Sequence, residues 1–199
     1  MEMRENPEAK QRRSFRLKEF DYTSSGAYFV PICTRGREML FGEVVGDVVR
    51  LSDWGEIAAN QWKRLPYRFP YLDLDVFVIM PNHLHGIIVL LDGRGTGDGE
   101  RVPHDQAVVP RAPTIERFGK PVQGSIPTII RSYKSSVTQR IKGMRGGNQV
   151  TVWQRNYYER VIRDEDELNR SREYILDNPG KWAEDGENPG RSRGGEHIT

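Results

Sequence analysis

His83 and His85 stand one residue apart in Met80-Pro81-Asn82-His83-Leu84-His85-Gly86-Ile87-Ile88, at the mouth of an apolar run. On a strand, successive side chains alternate faces, so the two imidazoles point the same way, roughly 7 Å apart, while Leu84 points into the core. Two imidazoles on one face of a rigid element form half of a metal site, with room for further ligands and a substrate oxygen. A plain solvated strand face has the same spacing. The Pro81-Asn82 turn signal ahead of the pair favours a site, because turns that end a core strand are where sites tend to be built.

A second group lies near the end of the chain, in Arg172-Glu173-Tyr174-Ile175-Leu176-Asp177-Asn178-Pro179. Four residues apart on a helix, Tyr174 and Asn178 lie over one another. With Leu168 and Ile175 as the buried stripe, both fall at its border, from which a phenol can project toward a sheet. The Asn178 carboxamide oxygen can then serve as a third, oxygen-type metal ligand. A tyrosine packed at the core edge, with Asn178 as a helix terminator, fits the same pattern.

These residues need elements to position them. Ala27 to Cys33 reads as a strand, with Pro31 hinting at an edge or bulge. Met39 to Leu51 reads as a hairpin turning near Gly46-Asp47. Ser52 or Asp53 caps a helix carrying Ile57, Ala58, Trp62 and Leu65, which ends before Pro66. Leu72 to Met80 and Gly86 to Leu91 read as two strands joined at Pro81-Asn82. Ile126, Ile129, Ile130, Tyr133, Val137 and Ile141 recur at helical spacing and define a buried face. Arg131, Lys134, Ser135, Thr138 and Lys142 follow the same spacing on another face. Val152 to Ile162 reads as an aromatic-rich strand, and Asp164 with Glu167 as a capping box opening the last helix.

The order contains βαββαβ, so the expected fold class is α+β: a ferredoxin-like (RRM-like) antiparallel sheet with helices on one face, an extra N-terminal hairpin and a C-terminal tyrosine-bearing helix. The expected organisation is a flexible basic arm over 1–14, one domain over 15–182 with a Gly/Pro-rich mobile insertion at 92–124, and a disordered tail over 183–199.

Composition narrows the function classes. One cysteine, Cys33, excludes an intramolecular disulfide and a Cys-rich zinc site and fits a reducing compartment; buried filler is its expected role. No run of about 18 apolar residues occurs and the N-terminus is charged rather than signal-like, so the chain reads as neither secreted nor membrane-spanning. The net charge is only +2, yet residues 117–145 hold seven basic side chains and no acid, a local field suited to phosphates. The N-terminal arm adds Arg12, Arg13 and Arg16.

The ordered set Pro-Asn-His-Leu-His-Gly, the basic helix, Trp153-Gln154-Arg155-Asn156-Tyr157-Tyr158-Glu159-Arg160 and Tyr174-Ile175-x-x-Asn178-Pro179 resembles the single-tyrosine HUH transposases, and most closely the REP-associated tyrosine transposases of bacteria. The resemblance covers roughly residues 14 to 182. It implies that His83, His85 and Asn178 hold a divalent metal, Mg²⁺ or Mn²⁺, and that Tyr174 is the nucleophile. It implies single-stranded or hairpin (REP-like) DNA as substrate, cleaved through a 5′-phosphotyrosine intermediate, in a bacterial cytoplasm at the nucleoid. The DNA-contacting residues expected on this reading are Arg12, Arg13, Arg16, Arg131, Lys134, Ser135, Thr138, Lys142, Arg155 and Tyr158. Monomer and homodimer both remain open. Two rival classes stand beside it. One is a non-catalytic RRM-like nucleic-acid-binding module, which lacks the expected glycine-aromatic signature here. The other is a zinc-dependent hydrolase, for which Asp73 and Asp75 are the only nearby candidates for a third ligand.

Overall fold

The computed structural model describes residues 20–92, 122–147 and 149–190. The arm with Arg12, Arg13 and Arg16, most of the expected insertion and the last nine residues lie outside the described residues.

Four strands form the main sheet: β1 (Gly26–Cys33), β4 (Leu72–Ile79), β5 (His83–Leu90) and β6 (Arg160–Ile162), in the spatial order β4-β5-β1-β6. Every neighbouring pair is antiparallel. The expected α+β, ferredoxin-like plan is what the chain adopts. The extra hairpin, β2 (Gly42–Val45) and β3 (Val48–Leu51), turns at Gly46-Asp47 and forms its own two-stranded sheet.

Helices α1 (Asp53–Lys63) and α3 (Ile126–Met144) cover one face of the main sheet, and the short α2 (Leu65–Arg68) follows α1. Ser52 caps α1, its Oγ accepting from Gly55 N. Pro66 falls in the first turn of α2, where its missing N–H costs nothing. The helical stripe of α3 is buried throughout, from Ile126 to Ile141. Tyr133 packs edge-on against Trp62 of α1, ring centroids 5.1 Å apart, and its hydroxyl donates to Ala58 O. Tyr28, Val30, Ile32, Leu84, Ile88 and Leu90 of the sheet complete this core.

Gly86 is the point of closest approach between sheet and helix. A Cβ there would meet Trp62 Cζ2 at 2.6 Å and Phe77 Cβ at 3.2 Å. Gly86→Ala is therefore expected to destabilise the chain by about 1–3 kcal/mol, the usual scale of an overpacked core. Denaturant unfolding measures it, and an unchanged midpoint would show that Trp62 yields freely.

The other face of the sheet carries α4 (Glu165–Asp177), the extra tyrosine-bearing helix. A smaller cluster of Ile87, Ile162 and Ile175, with Phe29, Val76, Val78, Val89 and Leu168 against it, joins the two. Asp164 caps α4 by accepting from Glu167 N, while the Glu167 carboxylate accepts from Arg163 N.

Two expectations are corrected. Val152 to Ile162 is not one strand: only Arg160–Ile162 pair as a strand, and Trp153 makes a single bridge to Thr34. Two backbone hydrogen bonds, Arg35 N to Val152 O and Gln154 N to Cys33 O, and side-chain packing hold the start of this segment. Trp153 lies against Phe41 and Tyr133 and donates its indole N–H to Lys134 O. The folded chain also continues past Trp182: a 3₁₀ turn over Trp182–Glu184 and the residues to Gly190 are described, with Glu187 O accepting from Asn82 in the turn before β5. Among the described residues no helix is long and apolar enough to cross a membrane.

Candidate functional site: two histidines, a tyrosine helix and the segment after it

Alternation along β5 does what the spacing demands. Leu84 enters the main core, while His83 and His85 turn to the α4 face, their ring centroids 4.5 Å apart. Both are buried. His85 stacks on Phe29 of β1 (5.4 Å, 20°) and meets the Tyr174 ring edge-on at 5.1 Å. The Tyr174 hydroxyl lies 3.4 Å from His85 Nε2, a long hydrogen bond, and the residue is 48% exposed. Tyr174 therefore stands beside the histidine pair and is open to solvent.

Asn82, in the turn before β5, fixes His83. It is fully buried, and its Nδ2 donates to the carbonyls of Arg37 (3.1 Å) and Glu187 (2.7 Å). Both amide hydrogens are thereby used, so Oδ1 is the atom facing His83 Nδ1 at 2.8 Å. An acceptor there places the imidazole hydrogen on Nδ1 and leaves the Nε2 lone pair free. The sequence offered only the turn signal at this position.

Burial holds both imidazoles neutral. It pulls the His83 pKa down to about 4, against the opposing pull of Asp185, and the His85 pKa down to about 3, with His83 adding to the effect. Burial raises the Tyr174 phenol above its ordinary value, and the negative charges of Asp185 and Glu187 push it the same way, while the Asn178 side chain pulls against them. Asn178, at the C-terminal cap of α4, is 4% exposed.

Among the described residues, four buried polar atoms in this cluster have no hydrogen-bond partner: His83 Nε2, His85 Nδ1, Asn178 Oδ1 and Asp185 Oδ2. Orphaned acceptors are costly when buried, and their gathering here is what a cation site requires. His83, His85 and Asp185 each bring a ligand atom to within 4.8 Å of the others. Two neutral imidazoles with hard oxygen donors fit a divalent cation such as Mn²⁺ or Mg²⁺, and also Zn²⁺. Asp185 is the residue that sequence reasoning missed, because it sits in the segment expected to be disordered. Asp73 and Asp75, the earlier candidates, are engaged elsewhere. Asp73 accepts from Leu74 N, and Asp75 is clamped by Arg172.

That clamp sets the position of α4. The register of β4 against β5 shifts between Leu74 and Phe77, so Asp75 and Val76 form a bulge on the α4 side. The bulge presents Asp75 to the Arg172 guanidinium, with contacts of 3.1 Å from Nε and 2.6 Å from Nη2. Tyr174 follows two residues later.

The residues expected to meet DNA are scattered over the surface. Arg131, Ser135 and Lys142 are exposed on α3, as are Arg155 and Tyr158 in the segment beyond it. Lys134 is turned inward: its ammonium donates to Gln154 O at 2.7 Å and lies over the Tyr157 ring, and burial lowers its pKa to about 8. Thr138 uses its hydroxyl on the Lys134 carbonyl. Cys33, opposite His83 in the sheet, is half-buried beside Glu187, and burial with that neighbour raises its thiol to about 11. It is a quiet thiol, as expected of filler.

No protein-family model matches the chain. Among solved structures it is similar to a REP-associated tyrosine transposase bound to a REP hairpin, with 18% identity, 85% of this chain and 72% of that chain covered, and a TM-score of 0.49. It is also similar to a candidate transposase from Deinococcus radiodurans, with 14% identity, 76% and 89% covered, and a TM-score of 0.41. An uncharacterized protein of Haemophilus influenzae is 37% identical over 174 residues, which span 87% of this chain and 91% of that protein. The chain belongs to one family with this Haemophilus influenzae protein.

Proposed function

We propose that the chain is a metal-dependent, single-stranded DNA endonuclease and strand transferase of the tyrosine HUH class, acting on hairpin DNA of the REP type. The single observation that carries this reading is the Tyr174 hydroxyl, 3.4 Å from His85 on a half-exposed residue, beside a group of buried donor atoms that no partner among the described residues satisfies. His83, His85 and Asn178 would hold the cation. A divalent cation there supplies Lewis acidity toward a phosphate oxygen and a template for the strand.

Tyr174 Oη attacks the scissile phosphorus. The Oη–P bond forms, the P–O3′ bond breaks, and the strand departs with a free 3′-OH while the 5′-phosphate stays on the tyrosine. The phenol releases its proton to solvent, and the departing O3′ takes up a proton from solvent to become the 3′-OH. The phosphodiester energy is kept in the covalent link, so an incoming 3′-OH reverses the step and joins strands without a nucleotide cofactor. Arg172 positions the nucleophile through Asp75, and Arg172→Leu is expected to slow cleavage by up to about 100-fold through misplacement of Tyr174. Cleavage at the wild-type rate would assign α4 its position by packing alone. Arg131, Ser135 and Lys142 on α3, with Arg155 and Tyr158, supply the exposed phosphate and base contacts, while Lys134 acts by fixing the 153–157 segment under them. The arm carrying Arg12, Arg13 and Arg16 adds phosphate contacts to the same strand.

The test is to incubate the protein with single-stranded hairpin DNA and Mn²⁺ or Mg²⁺ and separate the products on a denaturing gel. A metal-dependent covalent protein–DNA band is expected. Its absence over several hairpins that nonetheless bind would leave a nucleic-acid-binding module. A second reading gains from Asp185, since His83, His85 and Asp185 together match the two-His, one-carboxylate set of zinc hydrolases. That reading produces cleavage with no covalent band.

A further inference from the structure

The segment after α4 is built into the site. Trp182 lies with its ring centroid 6.0 Å from that of His83. Arg37 Nη1 donates to Gly186 O at 3.0 Å, and Arg37 Nε pairs with the Glu187 carboxylate at 2.8 Å. The buried Asn82, which orients His83, also donates to Glu187 O. Asp185 sits between these anchors. Glu187 N donates to its Oδ1 at 2.7 Å, which spends one carboxylate oxygen within the segment. Its other oxygen, Oδ2, is buried without a partner among the described residues and lies 3.8 Å from the equally unpartnered His83 Nε2. The two side chains are 10% and 1% exposed.

An acceptor-only carboxylate oxygen facing the lone pair of a neutral imidazole has no donor between them, and burying it that way is unfavourable. A cation between the two resolves the conflict. We infer that Asp185 is a protein ligand of the divalent cation, a carboxylate donor added to His83, His85 and Asn178 by a segment that Arg37 and Asn82 strap over the pair. The inference rests on the reading of the histidine pair as a metal site. It makes the donor set anionic and suited to hard cations, and leaves a six-coordinate ion two positions for a phosphate. It also makes the segment beyond Trp182 a working part of the site.

Mn²⁺ titration of the full chain without DNA, followed by calorimetry and by solvent-proton relaxation, tests this apart from activity. Asp185→Asn, which keeps the side chain's shape, is expected to weaken Mn²⁺ binding on the order of tenfold or more. Asp185→Ala is expected to raise the number of water molecules on bound Mn²⁺ by one. His83→Ala serves as the reference for the site itself. Wild-type affinity in Asp185→Asn with loss in His83→Ala overturns the assignment of Asp185 and leaves the metal site standing. An unchanged water number in Asp185→Ala also overturns it, since a merely structural residue leaves no vacant position. Wild-type affinity in His83→Ala removes the metal reading altogether.

Discussion

Tyr174→Phe is expected to abolish the covalent protein–DNA band and to lower cleavage by a factor on the order of 1,000 or more, the scale of losing a nucleophile. Hairpin binding should stay within about twofold, and stability within about 1 kcal/mol, because the hydroxyl makes only one long, half-exposed hydrogen bond. The ring contacts with His85 and Phe29 survive in phenylalanine, so a lost activity would report chemistry and not a collapsed site. The phenol is held protonated by burial and by the charges of Asp185 and Glu187, so wild-type cleavage should quicken as pH rises above neutrality. A hydrolase of the zinc type would keep cutting without the hydroxyl. A surviving covalent band would instead name another tyrosine, and the exposed Tyr158 is the first to replace.

Local periodicity explains how much was legible in advance. Period-two alternation put His83 and His85 together and Leu84 in the core, and the 3.6-residue stripe of α3 is buried residue for residue. The Asp164 cap of α4 was legible because its hydrogen bond spans only three residues, although Glu167 reaches back to Arg163 N and not to the N–H of Asp164. Tertiary effects were not legible. The bulge at Asp75-Val76 arises from pairing with β5 and from Arg172, 97 residues away. Lys134 falls on the polar stripe of α3, yet the folded-back 153–157 segment covers it. Beyond Trp182 the sequence is glycine, acid and base, which signals disorder when an apolar core is the only source of order. Here a charged pair, two backbone carbonyls and a buried asparagine supply it instead. A polar segment that docks on a polar site leaves no hydrophobic period to find.

Acidification of the metal-free chain is expected to destabilise it already above the pH at which carboxylates protonate. Buried His83 and His85 hold pKa values of about 4 and about 3 in the folded state, against an ordinary 6.5. Above pH 6.5 both states carry neutral imidazoles and no difference arises. Between 6.5 and 4 the unfolded chain takes up protons that the folded chain refuses, so stability falls as pH falls. By pH 4 this amounts to a loss on the order of 3 kcal/mol for each imidazole, a large share of the 5–15 kcal/mol typical of a domain. Asp75, whose carboxyl is held below its ordinary value by the Arg172 hydrogen bonds, adds to the loss only at lower pH. Urea unfolding at pH 7, 6, 5 and 4 should show proton uptake on unfolding approaching two, and His85→Leu should reduce it toward one while unfolding at a lower pH than the wild type. Equal acid slopes for the two proteins would mean that the imidazoles accept protons in place, and that Asn82 and the strap give way to let water reach them. The same neutrality that makes the apo protein acid-sensitive keeps both lone pairs available at pH 7, so the cost of burying two histidines and their service as ligands come from one arrangement.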